Sequence, residues 1–263
     1  MIKINGTEVI VNKFPDGTQN IRIDKKVRDS GSTYHIVEWY YRDDSEMATL
    51  LYVTSWLGNT KKMLYLPYIP NARMDRIKND DEVFTLKSFC KFINLLGYDR
   101  VTVLDPHSDV STALLDKVIS ISPSKYIEEA IEKIKDNDLV IFYPDNGAAK
   151  RYGNMIDKPY CYGVKNRDWR TGEILGLDVI TNEINLKGKN VLIIDDICSK
   201  GGTFYHSALK LKECGVNNIY LYVTHCENTI AKGELLKDNG LIEKVFTTDS
   251  IYSLNEKKVE VLE

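Results

Sequence analysis

The chain lacks an excess of charge of either sign. Its 263 residues include 35 lysines and arginines against 38 aspartates and glutamates, which gives a formal net charge of -3. Proteins that bind a long polyanion usually carry a basic face, so this composition argues against nucleic acid as a partner. With 43% hydrophobic residues, the chain can still bury a substantial core.

Long apolar runs and paired cysteines are also missing. No apolar run approaches the roughly 20 residues that span a bilayer, and the opening MIKINGTEVIVNKF has no apolar stretch behind a basic one. The five cysteines are scattered, without the CxxC spacing of zinc sites and redox pairs. These absences predict a cytoplasmic protein with no membrane partner.

Two common glycine-rich phosphate loops are absent as well. The sequence contains neither GxxxxGK followed by Ser or Thr nor GxGxxG. Any nucleotide that binds must therefore be held by other means.

What the sequence does contain is an alternation of strand-like and helix-like segments. From Ala48 to Asp105 they are ATLLYVTSWLG, KMLYLPYIP, TLKSFCKFINLLG and RVTVLD. From Leu139 to His225 they are LVIFY, NGAAKRYGNMI, VLII, TFYHSALKLKECG and IYLYVTH. Such alternation predicts parallel strands joined by helices, an α/β fold.

The length of the chain favours two domains. Between the two sets of segments, Tyr126, Ala130, Ile131 and Ile134 recur on one face of a predicted amphipathic helix. We therefore place one domain at 1–125 and the other at 126–263.

The most informative segment is VLIIDDICSKGGTF, Val191–Phe204. Its apolar run predicts a strand that brings Asp195 and Asp196 to the carboxyl edge of a parallel sheet, where such sheets bind ligands. A ribose or a Mg2+ ion suits these carboxylates. The next residues predict a turn that opens a helix, where N–H groups and the helix dipole favour a phosphate. The residues of this turn are Ser199, Lys200, Gly201, Gly202 and Thr203. The alternative is a solvated strand end followed by an ordinary turn.

This segment resembles the ribose-phosphate binding motif of the phosphoribosyltransferase-type fold, and other blocks resemble those of the ribose-phosphate pyrophosphokinases. PYIPNARMDR (Pro67–Arg76) is similar to that family's PYYGYARQDR, and RVTVLDPHSD (Arg100–Asp109) to its DRVITLDLHAPQ. Further matches are KFPDG to RFSDGE, YPDNGAAKR to SPDAGGAKR, KNR to KRR and VTH to CTH. The blocks keep the family's order along nearly the whole chain.

The resemblance implies two phosphoribosyltransferase-type domains, each with a mainly parallel sheet flanked by helices, the first truncated at its start. It implies a Mg2+-dependent enzyme that moves the diphosphoryl group of ATP to the anomeric hydroxyl of ribose 5-phosphate, giving phosphoribosyl pyrophosphate and AMP. It also implies a homo-oligomer, a dimer or a hexamer, in which a neighbouring subunit completes the site.

The same resemblance assigns roles to individual residues. The matches to the family's ATP contacts are Phe14, Asp16, Arg73, Asp75 and His107. His107 and Asp145 match the contacts to Mg2+. Asp195, Asp196 and the turn from Ser199 to Thr203 match the sugar-phosphate site. Lys165 and Arg167 match a basic pair on a flexible catalytic loop, where positive charge stabilises the transferred group.

The sugar-phosphate turn departs from the family's DTAGT. SKGGT loses an acidic residue and gains Lys200, which makes the turn more positive by about two charges, while Gly201 permits a closer approach to a ligand. Ribose 5-phosphate remains our preferred acceptor. ADP-ribose is the alternative, because its diphosphate would also suit a lysine.

Two other classes of protein stay open. A phosphoribosyltransferase is disfavoured by the blocks around Arg73 and His107. A catalytically silent regulatory relative is disfavoured because Lys165, Arg167, His107 and Asp145 are retained together.

Overall fold

A computed structural model describes residues 1–167, 174–181, 183–238 and 240–263. The chain divides into two compact units, Met1–Ser122 and Pro123–Glu263. Each unit contains a sheet of mainly parallel strands flanked by helices, which confirms the predicted α/β architecture. Across the described ranges, no helix is both long enough and apolar enough to cross a membrane.

Unit 1 is built on a six-stranded sheet and a separate two-stranded hairpin. Its strands are β1 (Ile2–Ile4), β2 (Thr7–Glu8), β3 (Ile10–Lys13), β4 (Gln19–Arg22), β5 (Tyr34–Trp39), β6 (Lys61–Leu66), β7 (Arg100–Leu104) and β8 (Val118–Ile121). The sheet has the order β2-β1-β5-β6-β7-β8, and β5 to β8 are parallel. The hairpin pairs β3 with β4.

Three helices of unit 1 connect its parallel strands, and a first, shorter helix precedes β5. They are α1 (Lys25–Arg28), α2 (Glu46–Leu57), α3 (Thr85–Leu95) and α4 (Asp109–Leu114). In α3, Leu86, Phe89 and Ile93 are buried at helical spacing. The chain leaves this helix through Gly97, whose φ of 67° is left-handed.

The described part of unit 2 forms a seven-stranded sheet. Its strands are β9 (Val140–Tyr143), β10 (Tyr160–Arg167), β11 (Ile174–Ile180), β12 (Val191–Cys198), β13 (Ile219–Cys226), β14 (Lys244–Thr247) and β15 (Val259–Val261). The order is β11-β10-β9-β12-β13-β14-β15, with β11 antiparallel to β10 and the other pairs parallel.

Helices cover both faces of this second sheet. They are α5 (Ser124–Ile134), α6 (Asn146–Tyr152) and α7 (Gly202–Glu213), with a 3-10 turn at Asn228–Lys232. Along β12, Val191 and Ile193 belong to one hydrophobic cluster, and Leu192 and Ile194 belong to another. A strand that is buried on both faces has a continuous run of apolar residues, which is why VLII predicts a buried strand.

Candidate active site

Acidic side chains gather where the parallel strands of unit 2 end. β12 lies between β9 and β13, so the carboxyl ends of these strands meet at one edge of the sheet. β12 carries Asp195 and Asp196, and β9 leads directly to Asp145. The structure therefore places these three predicted site residues at the same edge.

Asp196 is the most enclosed of the three. Its side chain is 5% exposed, and its Oδ2 lies 3.4 Å from Nη1 of Arg151 on α6. Arg151 belongs to the YPDNGAAKR block, in which no sequence pattern assigns it a role. The ion pair shows that its guanidinium balances one charge of the acidic cluster.

Asp195 is held in a crowded, negative environment. Burial is the largest cause that raises the pKa of its carboxyl well above the usual value, and the charges of Asp196 and Asp145 raise it further. The backbone N–H of Asp196 opposes this by donating to Asp195 Oδ1 at 3.0 Å. A positive ion or a hydroxyl donor at this edge would relieve the crowding.

Asp145 is the N-cap residue of α6. Its Oδ1 accepts hydrogen bonds from the backbone N–H groups of Gly147 at 3.0 Å and Ala148 at 3.1 Å. These bonds satisfy two of the amides that a helix leaves unpaired at its start, and they fix the direction of the carboxylate.

The sugar-phosphate loop, residues 199–203, opens α7. Gly201 is the N-cap residue and adopts a left-handed φ of 79°. A Cβ on Gly201 would overlap the side chain of Leu235, which is fully buried. The glycine is therefore required by its own backbone and by the packing beneath the loop. Closer approach to a ligand, the reason expected from the sequence, is not needed to explain it.

Glu227, immediately after β13, contacts the same loop. Its Oε2 accepts hydrogen bonds from Ser199 Oγ at 2.7 Å and from Thr229 Oγ1 at 3.0 Å. This carboxylate brings a negative charge back to the loop, so the gain of about two charges relative to DTAGT is reduced. Sequence reasoning missed Glu227 because the contact joins residues separated by 28 positions.

Lys165 and Arg167 lie in strand β10, so the expectation of a loop at these two positions is wrong. Lys165 pairs with Leu177 of β11, and the register shifts between Asn166 and Arg167. Because β10 is parallel to β9, both residues lie toward the carboxyl edge. Their side chains, and residues 168–173 of the expected loop, lie outside the described residues.

The predicted ATP contacts lie in unit 1. His107 follows β7 and is half-buried, two residues after Asp105, whose φ of 39° is in the left-handed region. Asp105 is buried and its N–H donates to the Ile121 carbonyl oxygen at 3.0 Å. The strand therefore ends in a strained, anchored conformation that fixes where His107 emerges.

The other predicted ATP contacts lie in two turns. Phe14 is 51% exposed beside the β3–β4 turn, where the Thr18 hydroxyl donates to Asp16 Oδ1 at 2.7 Å. This hydrogen bond is the largest cause that lowers the pKa of Asp16. In the turn after β6, Arg73 is exposed and Asp75 Oδ1 lies 3.3 Å from Arg76 Nε.

The residues that the structure describes contain no group of three His, Cys, Asp or Glu side chains arranged to hold a metal ion. Mg2+ does not require such a cage in a phosphoryl-transfer site. It usually keeps several waters and binds through one or two carboxylates and the substrate phosphates. Asp145 and Asp195 supply the hard oxygen donors that this ion prefers.

Known proteins that share this fold identify the class of protein to which the chain belongs. Residues 124–251 match the family model described as phosphoribosyl transferase domain. A crystal structure of phosphoribosylpyrophosphate synthetase from Mycobacterium smegmatis superposes with a TM-score of 0.77, covering 97% of this chain and 85% of that chain at 22% identity. That likeness shows the phosphoribosyltransferase-type fold.

Curated relatives narrow the class to a family. A ribose-phosphate pyrophosphokinase of Pyrococcus abyssi is 31% identical, and the match covers 97% of this chain and 92% of that protein. The enzymes of that name from Saccharolobus solfataricus and Thermococcus kodakarensis are 29% and 27% identical, covering 94% and 93% of this chain and 85% and 86% of theirs. The chain belongs to the ribose-phosphate pyrophosphokinase family, and the resemblance found in the sequence is confirmed.

Proposed function

We propose that this chain transfers the diphosphoryl group of ATP to the anomeric hydroxyl of ribose 5-phosphate, releasing AMP. The observation that carries the proposal is the carboxyl edge of unit 2, where Asp195 and Asp196 are followed within one turn by a glycine-capped helix start. Family membership identifies the reaction that such an edge serves.

The acceptor sugar is held by the end of β12 and the loop behind it. The carboxylates of Asp195 and Asp196 accept hydrogen bonds from ribose hydroxyls. The 5-phosphate binds at the sugar-phosphate loop, where the first backbone amides of the 12-residue α7 and the helix dipole favour an anion. Lys200, which is exposed, adds a cation at this end.

Mg2+ when bound would supply positive charge to the phosphates of ATP, and His107 of unit 1 and Asp145 of unit 2 are each proposed as a Mg2+ ligand. The capped orientation of Asp145 prepares one hard oxygen ligand. Asp195 has a raised pKa in part because of the charge of Asp145, so a cation at this edge lowers the repulsion between them.

Lys165 and Arg167 act on the group in transfer. Diphosphoryl transfer needs in-line placement and positive charge on the oxygens of the moving group, and little covalent participation by the protein. On the ATP side, Phe14 and Asp16 contact the adenine and Arg73 contacts the phosphates. Asp75 and His107 are the remaining ATP contacts. We propose a homo-oligomer in which these contacts are shared between subunits.

The test is an assay for sugar-dependent AMP. The protein is mixed with MgCl2 and ATP, and AMP is quantified with ribose 5-phosphate, with ADP-ribose and without a sugar. We expect AMP with ribose 5-phosphate alone, and its loss in Lys165→Ala but not in Lys150→Ala, a change at an exposed position of α6. AMP only with ADP-ribose would reassign the acceptor. AMP with neither sugar would reject the activity and favour a silent relative.

A further inference from the structure

The sugar-phosphate loop rests on a neighbouring stretch of chain, residues 227–235, which we call the supporting segment. It follows β13 and contains the 3-10 turn Asn228–Lys232. Ile230 and Leu235 anchor it, because both are fully buried within the hydrophobic cluster of unit 2. The segment is therefore fixed by the core independently of any ligand.

Close contacts join the supporting segment to the loop and to the end of β12 at three points. The Glu227 N–H donates to the Cys198 carbonyl oxygen at 2.8 Å, continuing the register that pairs Cys198 with Cys226. A Cβ on Gly233 would overlap the Lys200 carbonyl oxygen, and one on Gly201 would overlap Leu235. The loop and the segment thus pack as one unit, with no room for side chains between them at these glycines.

Side-chain hydrogen bonds complete the connection. Glu227 Oε2 accepts one bond from the Ser199 hydroxyl and another from the Thr229 hydroxyl. A serine hydroxyl has a single proton, so Ser199 cannot donate to Glu227 and to a phosphate at the same time. Ser199 presents only lone pairs to a bound anion in this arrangement, which makes it a poor phosphate donor.

We propose that Glu227 is a positioning residue for the sugar-phosphate loop. Its carboxylate accepts the hydrogen bond that the Ser199 hydroxyl donates and holds the first residue of the loop, so that backbone N–H groups and not the serine hydroxyl face the phosphate. This inference rests on the proposed function, because it assigns a positioning residue to the same sugar site. It assigns Glu227 no contact with the reacting atoms.

Loss of the positioning role of Glu227 should affect sugar binding alone. A preformed loop binds the 5-phosphate equally well in the ground state and in the transition state. Loss of the loop conformation therefore raises the KM for ribose 5-phosphate without lowering kcat. The hydrogen bond to a charged acceptor suggests a change of about tenfold in affinity when it is removed. The KM for ATP stays unchanged, because the proposed ATP contacts of Phe14, Arg73 and His107 lie in unit 1.

The experiment compares four single variants and one double variant with the wild type. Kd for ribose 5-phosphate is measured by calorimetry, kcat and both KM values are measured by AMP release, and Tm is measured for each protein. Glu227→Ala and Ser199→Ala remove the two ends of one hydrogen bond. Glu227→Gln keeps an acceptor. Glu234→Ala is the matched control, because this exposed carboxylate in the same segment bonds Lys237 at 2.6 Å.

We expect Glu227→Ala to raise the Kd and KM for ribose 5-phosphate about tenfold, with kcat and the KM for ATP within about twofold. Glu227→Gln should recover most of the affinity, and Glu234→Ala should match the wild type. The double variant Glu227→Ala/Ser199→Ala should bind no more weakly than the single variants, because they remove the same interaction.

Three results would overturn the proposal: an unchanged sugar Kd in Glu227→Ala, additive losses in the double variant, or a parallel fall in kcat, ATP affinity and Tm. Failure of the proposed function is a separate result, since it appears in the wild type as absence of AMP. Calorimetry then still tests the positioning role. A wild type that does not bind ribose 5-phosphate at all would reject both.

Discussion

Replacing Asp195 by asparagine should stabilise the protein while it destroys sugar binding. Asp195 is a half-buried carboxylate whose pKa is raised by desolvation and by the negative charges of Asp196 and Asp145. The substitution removes the charge and keeps an oxygen in place to accept the Asp196 N–H, which lies 3.0 Å from Asp195 Oδ1. Removing crowded charge from a ligand site is a common route to greater stability at the expense of function.

The magnitude follows from two opposing effects. A hydrogen bond to a neutral acceptor is weaker than one to a carboxylate by about 1 kcal/mol. Removal of a desolvated, repelled charge acts in the other direction, and single stabilising substitutions of this kind commonly gain about 0.5–2 kcal/mol in total. We therefore expect a net gain of about 1–2 kcal/mol, which in a chain of this size raises Tm by about 2–8 °C.

The pH dependence has a defined sign. Because the folded pKa of Asp195 lies above its unfolded value of about 3.9, the wild type loses stability relative to the variant as pH rises between the two values. The advantage of Asp195→Asn is thus present in full above the folded pKa and disappears as pH falls toward about 4.

Thermal unfolding without ligand, recorded from pH 4 to pH 8, is the assay. Asp238→Asn is the control, because Asp238 is exposed and pairs with Lys258 at 3.3 Å, so it should change stability by less than about 0.5 kcal/mol. The reasoning would be refuted if Asp195→Asn lowered Tm at neutral pH, or if its effect did not depend on pH.

Three further changes give separate outcomes. Arg151→Met should destabilise the protein by about 1–3 kcal/mol in urea unfolding, because it removes the ion pair of nearly buried Asp196. Adding Asp196→Asn to this variant should restore most of the loss. If Arg151→Met cost the same in the wild type and in Asp196→Asn, the pairing would be refuted. Lys165→Ala should lower kcat at least about 100-fold with little change in the Kd for ribose 5-phosphate; weaker sugar binding at unchanged kcat would contradict that role. Gly201→Ala should lose more than the about 1–2 kcal/mol that left-handed strain alone accounts for. Gly188→Ala measures that strain, because Gly188 has a φ of 75° and open space around its Cα; equal losses would remove the role of the overlap with Leu235.

The parts of the fold that the sequence predicted are those buried on a regular period. The face of α3 carries apolar residues three and four apart, and β12 is a continuous apolar run between two clusters. The helix α5 was predicted from Ala130 and its neighbours, but Ile127, which is fully buried, was left out of the predicted face. Periodicity locates a helix more reliably than it ranks the depth of each residue.

Elements held by main-chain pairing were harder to find. The family resemblance assigns KNR to a loop, but β10 continues through it because its ladder with β11 supplies the hydrogen bonds. β3 is exposed at every position and carries no burial pattern. The contact between Ser199 and Glu227 depends on the register of Cys198 with Cys226, which no local pattern encodes.

The most direct test of the central claim follows the phosphorus atoms themselves. ATP labelled separately at the β and the γ phosphorus is incubated with MgCl2, the protein and ribose 5-phosphate, and the products are separated in a single turnover. Our account predicts that both labels move together onto the sugar, with unlabelled AMP released. The appearance of labelled ADP and free phosphate, or of both labels in inorganic pyrophosphate without a labelled sugar at any time, would contradict it.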